Sequence, residues 1–173
     1  MSSATTVHRA GPALTFERTF RASRARVFDA FTVPELLMRW WGPRDWPMVS
    51  CSLDLVPGGT WHYCLRAADG RQHWARATYR EIARPARVSY AENSSNERGE
   101  VTDDVAPTLT VVTFTERDGS TTLRSHVTFP AEQHLEAALR RGMREGFTQA
   151  LGFLEELLAR EDDLLLRSEG RQQ

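Results

Sequence analysis

The sequence predicts an α+β fold: a curved antiparallel sheet of about seven strands around one long C-terminal helix, with two short helices after the first strand. Three observations carry this. Helical periodicity occurs only near the start and at the end of the chain. Between them lie short alternating segments, separated by turn signals at close intervals. The last stretch repeats apolar residues every three or four positions over about 30 residues, or about 45 Å of helix. Helices grouped at the ends of a run of strands mark α+β rather than alternating α/β. A sheet of that many strands must curl to cover its helix.

Residues 1–12 are small and polar with a Gly11-Pro12 break, and are expected to form a flexible N-terminal tail. Leu14, Thr15, Phe16, Thr19 and Phe20 give a first strand with alternating faces. Ser23 suits the cap of a short helix reaching Thr32, with Val27, Phe28 and Phe31 as its buried stripe. Pro34 opens a second short helix to Trp40, ended by Trp41-Gly42-Pro43. Strands are expected over 48–55, 60–66, 72–82 and 87–90, with turns at Pro57-Gly58-Gly59, Asp69-Gly70 and Arg84-Pro85. Residues 92–106 read as a solvated polar loop. Two strands over 109–116 and 121–129 meet at a two-residue Asp118-Gly119 turn, which sets Phe114 opposite Leu123 and Val112 opposite Ser125. Pro130 then begins one continuous helix, with Leu135, Leu139, Met143, Phe147, Ala150, Leu151, Leu154 and Leu158 as its apolar stripe to about Arg160. The expected organisation is a single domain over 13–160, with a charged C-terminal tail over 161–173.

Composition excludes several functions. The 173 residues are 40% apolar and 26% charged, with a net charge of -1. That balance favours neither nucleic acid nor an anionic membrane as partner. All 22 basic residues are Arg, so no lysine can form a Schiff base. No apolar run approaches the roughly 20 residues that span a bilayer. The first residues have no secretory apolar core, and the expected compartment is the cytoplasm. The histidines show no metal-ligand spacing, and neither a nucleophile elbow nor a Gly-rich phosphate loop is present, so no metal, cofactor or catalytic residue is expected. Cys51 and Cys64 differ in parity across their predicted hairpin, point to opposite faces and are expected to stay free thiols.

Several segments together resemble the activator-of-heat-shock-ATPase homologue family within the START-like (SRPBCC) superfamily. They are Phe16-Glu17-Arg18-Thr19-Phe20, Val27-Phe28, Pro34-Glu35-Leu36, Arg39-Trp40-Trp41-Gly42-Pro43 and Pro57-Gly58-Gly59. Asp69-Gly70, Tyr79-Arg80-Glu81-Ile82, Val112-Thr113-Phe114-Thr115-Glu116, Thr121-Thr122-Leu123 and Gly142-Met143-Arg144-Glu145-Gly146-Phe147 continue the match, which spans about residues 13–160. Their order and spacing carry the resemblance. It implies a helix-grip fold with an elongated cavity between sheet and long helix, of the kind that holds lipids, sterols or polyketides. It brings no catalytic motif with it.

The expected function is binding of a small hydrophobic or amphipathic molecule in that cavity. Large aromatics with a few polar groups are how such pockets are lined. The candidate lining is Trp41, Trp61, Tyr63, Trp74, Met143 and Phe147, with Arg76 as a polar anchor for a carboxylate or phenolate if a two-residue turn at Asp69-Gly70 sets Tyr63 opposite Arg76. A register shifted by one would turn Arg76 to solvent. Two alternatives stand beside this reading. An enzyme of cyclase or hydrolase type would need an inward acid or base. A co-chaperone-like interaction module would need an apolar surface and a partner ATPase. Whether the chain forms a homodimer is left open by the sequence.

Overall fold

The computed structural model describes residues 3–170, with the side chains of residues 163–169 outside the description. The elements are β1 (Thr6–Ala10), β2 (Ala13–Phe20), α1 (Arg24–Thr32), α2 (Pro34–Trp40), β3 (Met48–Leu53), β4 (Thr60–Arg66), β5 (Gln72–Ala83), β6 (Arg87–Ser95), β7 (Thr108–Arg117), β8 (Ser120–Thr128), α3 (Glu132–Arg140) and α4 (Met143–Gly170). The eight strands form one open antiparallel sheet in the order β1-β2-β8-β7-β6-β5-β4-β3. After β2 the chain crosses to the far edge through α1 and α2, then returns strand by strand as a meander.

One face of the sheet is the core. Leu14, Phe16 and Phe20 of β2, Val112 and Phe114 of β7 and Leu123 of β8 are buried there, together with Val27, Phe28 and Phe31 of α1 and Ala150, Leu151, Leu154 and Leu158 of α4. The period of two in the strands and of three to four in the helices brings these residues onto one surface. Burying a large apolar side chain contributes roughly 1.5–3 kcal/mol, so this layer dominates the stability of the fold. Two of the predicted local details are present as expected. The Ser23 hydroxyl accepts from Arg26 N–H, capping α1. The β7–β8 hairpin pairs Phe114 with Leu123 and Val112 with Ser125. Its turn residues Asp118 and Gly119 have φ of 53° and 76°, the left-handed pair that a two-residue turn requires.

Four expectations are corrected. The sheet has eight strands because Thr6–Ala10, expected in the flexible tail, pairs along β2 and turns Val7 toward the core. Pairing at a sheet edge uses backbone groups, which a small polar composition does not remove. The last helix is two helices, broken at Arg141-Gly142, where Gly142 adopts φ +92°. The apolar stripe continues across that break, so periodicity alone could not reveal it. Helical backbone also runs past Arg160 to Gly170, into the segment expected to be a charged tail; residues 171–173 lie outside the described ones. Finally, β6 extends to Ser95, which takes residues 92–95 out of the loop expected at 92–106.

Candidate functional site

An aromatic cluster occupies the inner face of β4, β5 and β6. Trp61 and Tyr63 project from β4 with 0% and 4% of their surfaces exposed. Their partners across the ladder are Ala77 and Ala75, whose small side chains leave space for the two large rings. Trp61 lies 4.8 Å from Tyr63 and 5.4 Å from Tyr90 of β6, measured between ring centres. Over this layer sits Trp41, the residue that ends α2, 4.9 Å from Trp61 and 6.0 Å from Tyr63. Phe147 of α4 closes the cluster, 5.7 Å from Trp41 and 4.7 Å from Phe16. Met143, the first residue of α4, packs half-buried against the same core. Trp40 serves a different purpose: its indole N–H donates to the Ala30 carbonyl at 2.8 Å and ties α2 to α1.

One acid belongs to this layer. Glu92 lies two positions beyond Tyr90 on β6, opposite Ala77, and therefore on the inner face. The Tyr63 hydroxyl donates to its Oε2 at 2.9 Å. Burial pushes the Glu92 carboxyl up to about 7, against the lowering effect of that hydrogen bond. Burial first, and Glu92 second, push the hydroxyls of Tyr63 and Tyr90 well above their usual value, so both remain donors. Among the described residues no Arg or His lies within ion-pair distance of Glu92. A second unusual polar atom is nearby: Trp61 Nε1 is buried without a hydrogen-bond partner of ordinary geometry. Its neighbour is the Cys51 thiol, which burial pushes up to about 11 despite the Trp61 N–H.

The predicted lining is therefore divided. Trp41, Trp61, Tyr63, Met143 and Phe147 meet on the inner side. Trp74 and Arg76 lie on the outer face. Arg76 pairs with His62 and Trp74 with Cys64, one position away from the expected register. The cause is the turn: Ala67 N–H donates to Arg71 C=O at 2.9 Å, enclosing three residues, Ala68-Asp69-Gly70, instead of two. Gly70 takes the left-handed position that such a turn uses. A shift of one reverses every side chain of a strand. Arg76 accordingly holds the following loop, donating from Nη1 to the Gly99 carbonyl at 3.1 Å, and Trp74 stacks on His62 at 4.8 Å. Glu92 lies outside the predicted lining because the polar run after Tyr90 reads as a loop; the Val88-Tyr90-Glu92 alternation is the signal that continues the strand.

On the inner side the rings of Trp61, Tyr63 and Tyr90 pack against one another. On the outer face lie two grooves of about 330 and 300 Å³, one beside Arg76, Arg80 and Asn93 and the other beside Arg87, Arg124 and His126. Cys51 and Cys64 are free thiols, pairing with Tyr63 and Ser50 across the β3–β4 ladder. Among the described residues no cluster of His, Cys, Asp and Glu has the makings of a metal site, and no helix is long and apolar enough to cross a membrane.

Comparison with known proteins gives the following. The family model described as Activator of Hsp90 ATPase homolog 1-like protein matches residues 21–159. The crystal structure of Ms6760 from Mycobacterium smegmatis is 27% identical, with a TM-score of 0.81 over 89% of this chain and 96% of that one. A solution structure from Staphylococcus epidermidis is 28% identical, with a TM-score of 0.78 over 90% and 94%. One from Arthrobacter aurescens, at 23% identity, shares the fold with a TM-score of 0.83 over 90% and 91%. No curated protein matches the sequence.

Proposed function

Since the chain belongs to the family of Activator of Hsp90 ATPase homolog 1-like proteins, an α+β fold with a C-terminal helix laid on an antiparallel sheet, we propose that it binds a small hydrophobic or amphipathic molecule between the two. The observation that carries this reading is the inner aromatic layer itself. Five of the seven side chains expected to line a site converge there, with one carboxyl, Glu92, held by Tyr63 and by no charged partner among the described residues. A core built only for stability leaves out such a group, because burying a carboxyl without a counter-charge costs stability. Met143 and Phe147 are partly exposed at the start of α4, and on this reading the layer is reached from solvent there; Glu92 is partly exposed as well. A ligand enters by displacing side chains there, next to the break between α3 and α4.

Glu92 also favours a second reading, since an acid–base enzyme needs an ionisable group inside its site and a carboxyl titrating near neutrality suits proton transfer. Native mass spectrometry of protein purified from its own host, with organic extraction, tests the first reading. The expected result is a stoichiometric apolar adduct that is lost in Trp61→Ala or Phe147→Ala. Chemical change of the extracted compound on incubation with fresh protein, abolished in Glu92→Gln, moves the enzyme reading to the front. Bare protein that also binds nothing from a broad panel of apolar compounds overturns both, and places the ATPase-partner reading that the family name carries first.

A further inference from the structure

We propose that the inner-face ligand is an organic cation, a protonated amine on an aromatic or aliphatic body, with Glu92 as its counter-charge and Trp41, Trp61, Tyr63 and Phe147 as the surrounding rings. This rests on the ligand-binding reading above and adds the charge of the ligand.

Arg18 of β2 points inward with 9% of its side chain exposed, and Glu155 of α4 pairs with it. That pair is self-neutralised. Glu92 has only the Tyr63 hydroxyl. The remaining titratable groups facing this region from β3, β4, β5 and β6 are Cys51, Tyr63, Tyr79 and Tyr90, all held protonated and neutral by burial. At the margin, His73 of β5, an exposed residue, is held below its ordinary value by partial desolvation first and then by Arg141 at the α3–α4 break. Among the groups that β3, β4, β5 and β6 turn inward, Glu92 is thus the one acid that, when ionised, has no counter-charge among the described residues. Glu35 of α2, acting on Cys51, and Arg141, acting on His73, stand at the margin, likewise without an ion-pair partner among the described residues.

An anionic ligand would be placed beside that carboxylate with Arg18 already engaged, which is repulsive in a region of low dielectric. A neutral ligand would leave the carboxyl's desolvation uncompensated or require it to stay protonated. A cation meets the carboxylate directly and is attracted by the electron-rich faces of Trp and Tyr rings. The ring spacings of 4.8–6.0 Å among Trp41, Trp61 and Tyr63 place those rings within one small ligand's length of the carboxyl that Tyr63 holds. The grooves on the outer face are lined by arginines and suit the opposite charge, so the two faces differ in the sign of ligand they favour.

Isothermal titration of the full chain with 2-phenylethylamine, 2-phenylethanol and 3-phenylpropionate tests this at pH 6 and pH 8. The amine is expected to bind at least about tenfold more tightly than the alcohol at pH 8, and the carboxylate weakest. Amine affinity is expected to rise roughly ninefold from pH 6 to pH 8, because a carboxyl titrating near 7 passes from about a tenth to about nine tenths ionised while the amine stays protonated. Glu92→Gln should remove both the preference and the pH step while keeping the alcohol; Glu92→Asp, which keeps the charge, should retain the preference. A step that persists in Glu92→Gln belongs to His73 and overturns the assignment. Alcohol or carboxylate binding as tight as the amine sinks the cation inference and leaves the ligand site standing. Failure of all three probes to bind removes the cation inference together with the site for compounds of this size.

Discussion

At Glu92, burial and hydrogen bonding act in opposite directions. Removing the carboxylate from water raises its pKa, and the Tyr63 hydroxyl, which bonds the ionised form well, lowers it. Burial prevails, and the group titrates at about 7 against an ordinary 4.5. Between those two values the unfolded chain has lost a proton that the folded chain still holds. Stability from this residue is therefore full below about pH 4.5 and is lost as pH rises through about 7. Allowing for its partial exposure, the loss amounts to roughly 2 kcal/mol. Glu92→Gln should flatten the profile, so urea unfolding at pH 5 and pH 8 should differ less in the variant than in the parent. An equal difference in both would mean that Glu92 titrates as an ordinary surface acid. Residue type alone told part of this in advance. Trp61, Tyr63 and Phe147 were legible as inward from alternation and helical spacing, because large apolar side chains have one favourable direction. Glu92 was hidden because an acid next to Asn93, Ser94 and Ser95 has the composition of a loop, and only the continuing strand turns it inward.

At the scale of elements, what the chain discloses depends on its turns. Asp118-Gly119 joins two strands whose apolar faces agree in only one register, and turn chemistry and hydrophobic pattern select the same pairing. Around Asp69-Gly70 the pattern is weaker. Arg66, Gln72 and His73 give no apolar face that would distinguish a two-residue from a three-residue turn, and the extra residue moved Trp74 and Arg76 to the outside. The break at Gly142 was concealed for the converse reason, since the apolar stripe persists on both sides of it. Gly119 offers a direct check of the turn argument. It adopts φ +76° with no atom near the position of an added Cβ, so the cost of Gly119→Ala comes from backbone strain without a clash. The expected destabilisation is about 1 kcal/mol, seen as a lower denaturation midpoint with an unchanged slope. A neutral substitution would mean that the hairpin relaxes into another turn, and the Phe114–Leu123 pairing would then rest on the strands alone.

For the molecule as a whole, the question is what holds α4 on the sheet and so forms the roof over the aromatic layer. Two kinds of contact are available. The apolar stripe Ala150, Leu151, Leu154, Leu157 and Leu158 is buried, and at roughly 1.5–3 kcal/mol for each large side chain it supplies most of the attraction. Charged contacts fix the position. Arg26 of α1 pairs with Glu161 and Asp162 and donates to the Leu158 carbonyl at 3.0 Å, while Arg18 of β2 pairs with Glu155 and also donates to the Thr5 hydroxyl at 3.2 Å. These two sites differ in burial and so in expected energy. Arg26 is a quarter exposed, and removing its partners should cost less than about 1 kcal/mol. Arg18 is 9% exposed, and its Nε already lacks a partner. Glu155→Ala would leave that guanidinium buried with no counter-charge, at a cost of about 3 kcal/mol. An Arg18→Met, Glu155→Leu double variant replaces the pair by apolar groups of similar size and should recover most of the loss. Chemical denaturation of Arg18→Met, Glu155→Leu and the double variant closes the cycle, with Glu155→Ala as the measure of the unpaired guanidinium. A double variant as unstable as Glu155→Ala would show that the ion pair contributes attraction of its own, and the apolar stripe would no longer be a sufficient account of how the helix is held.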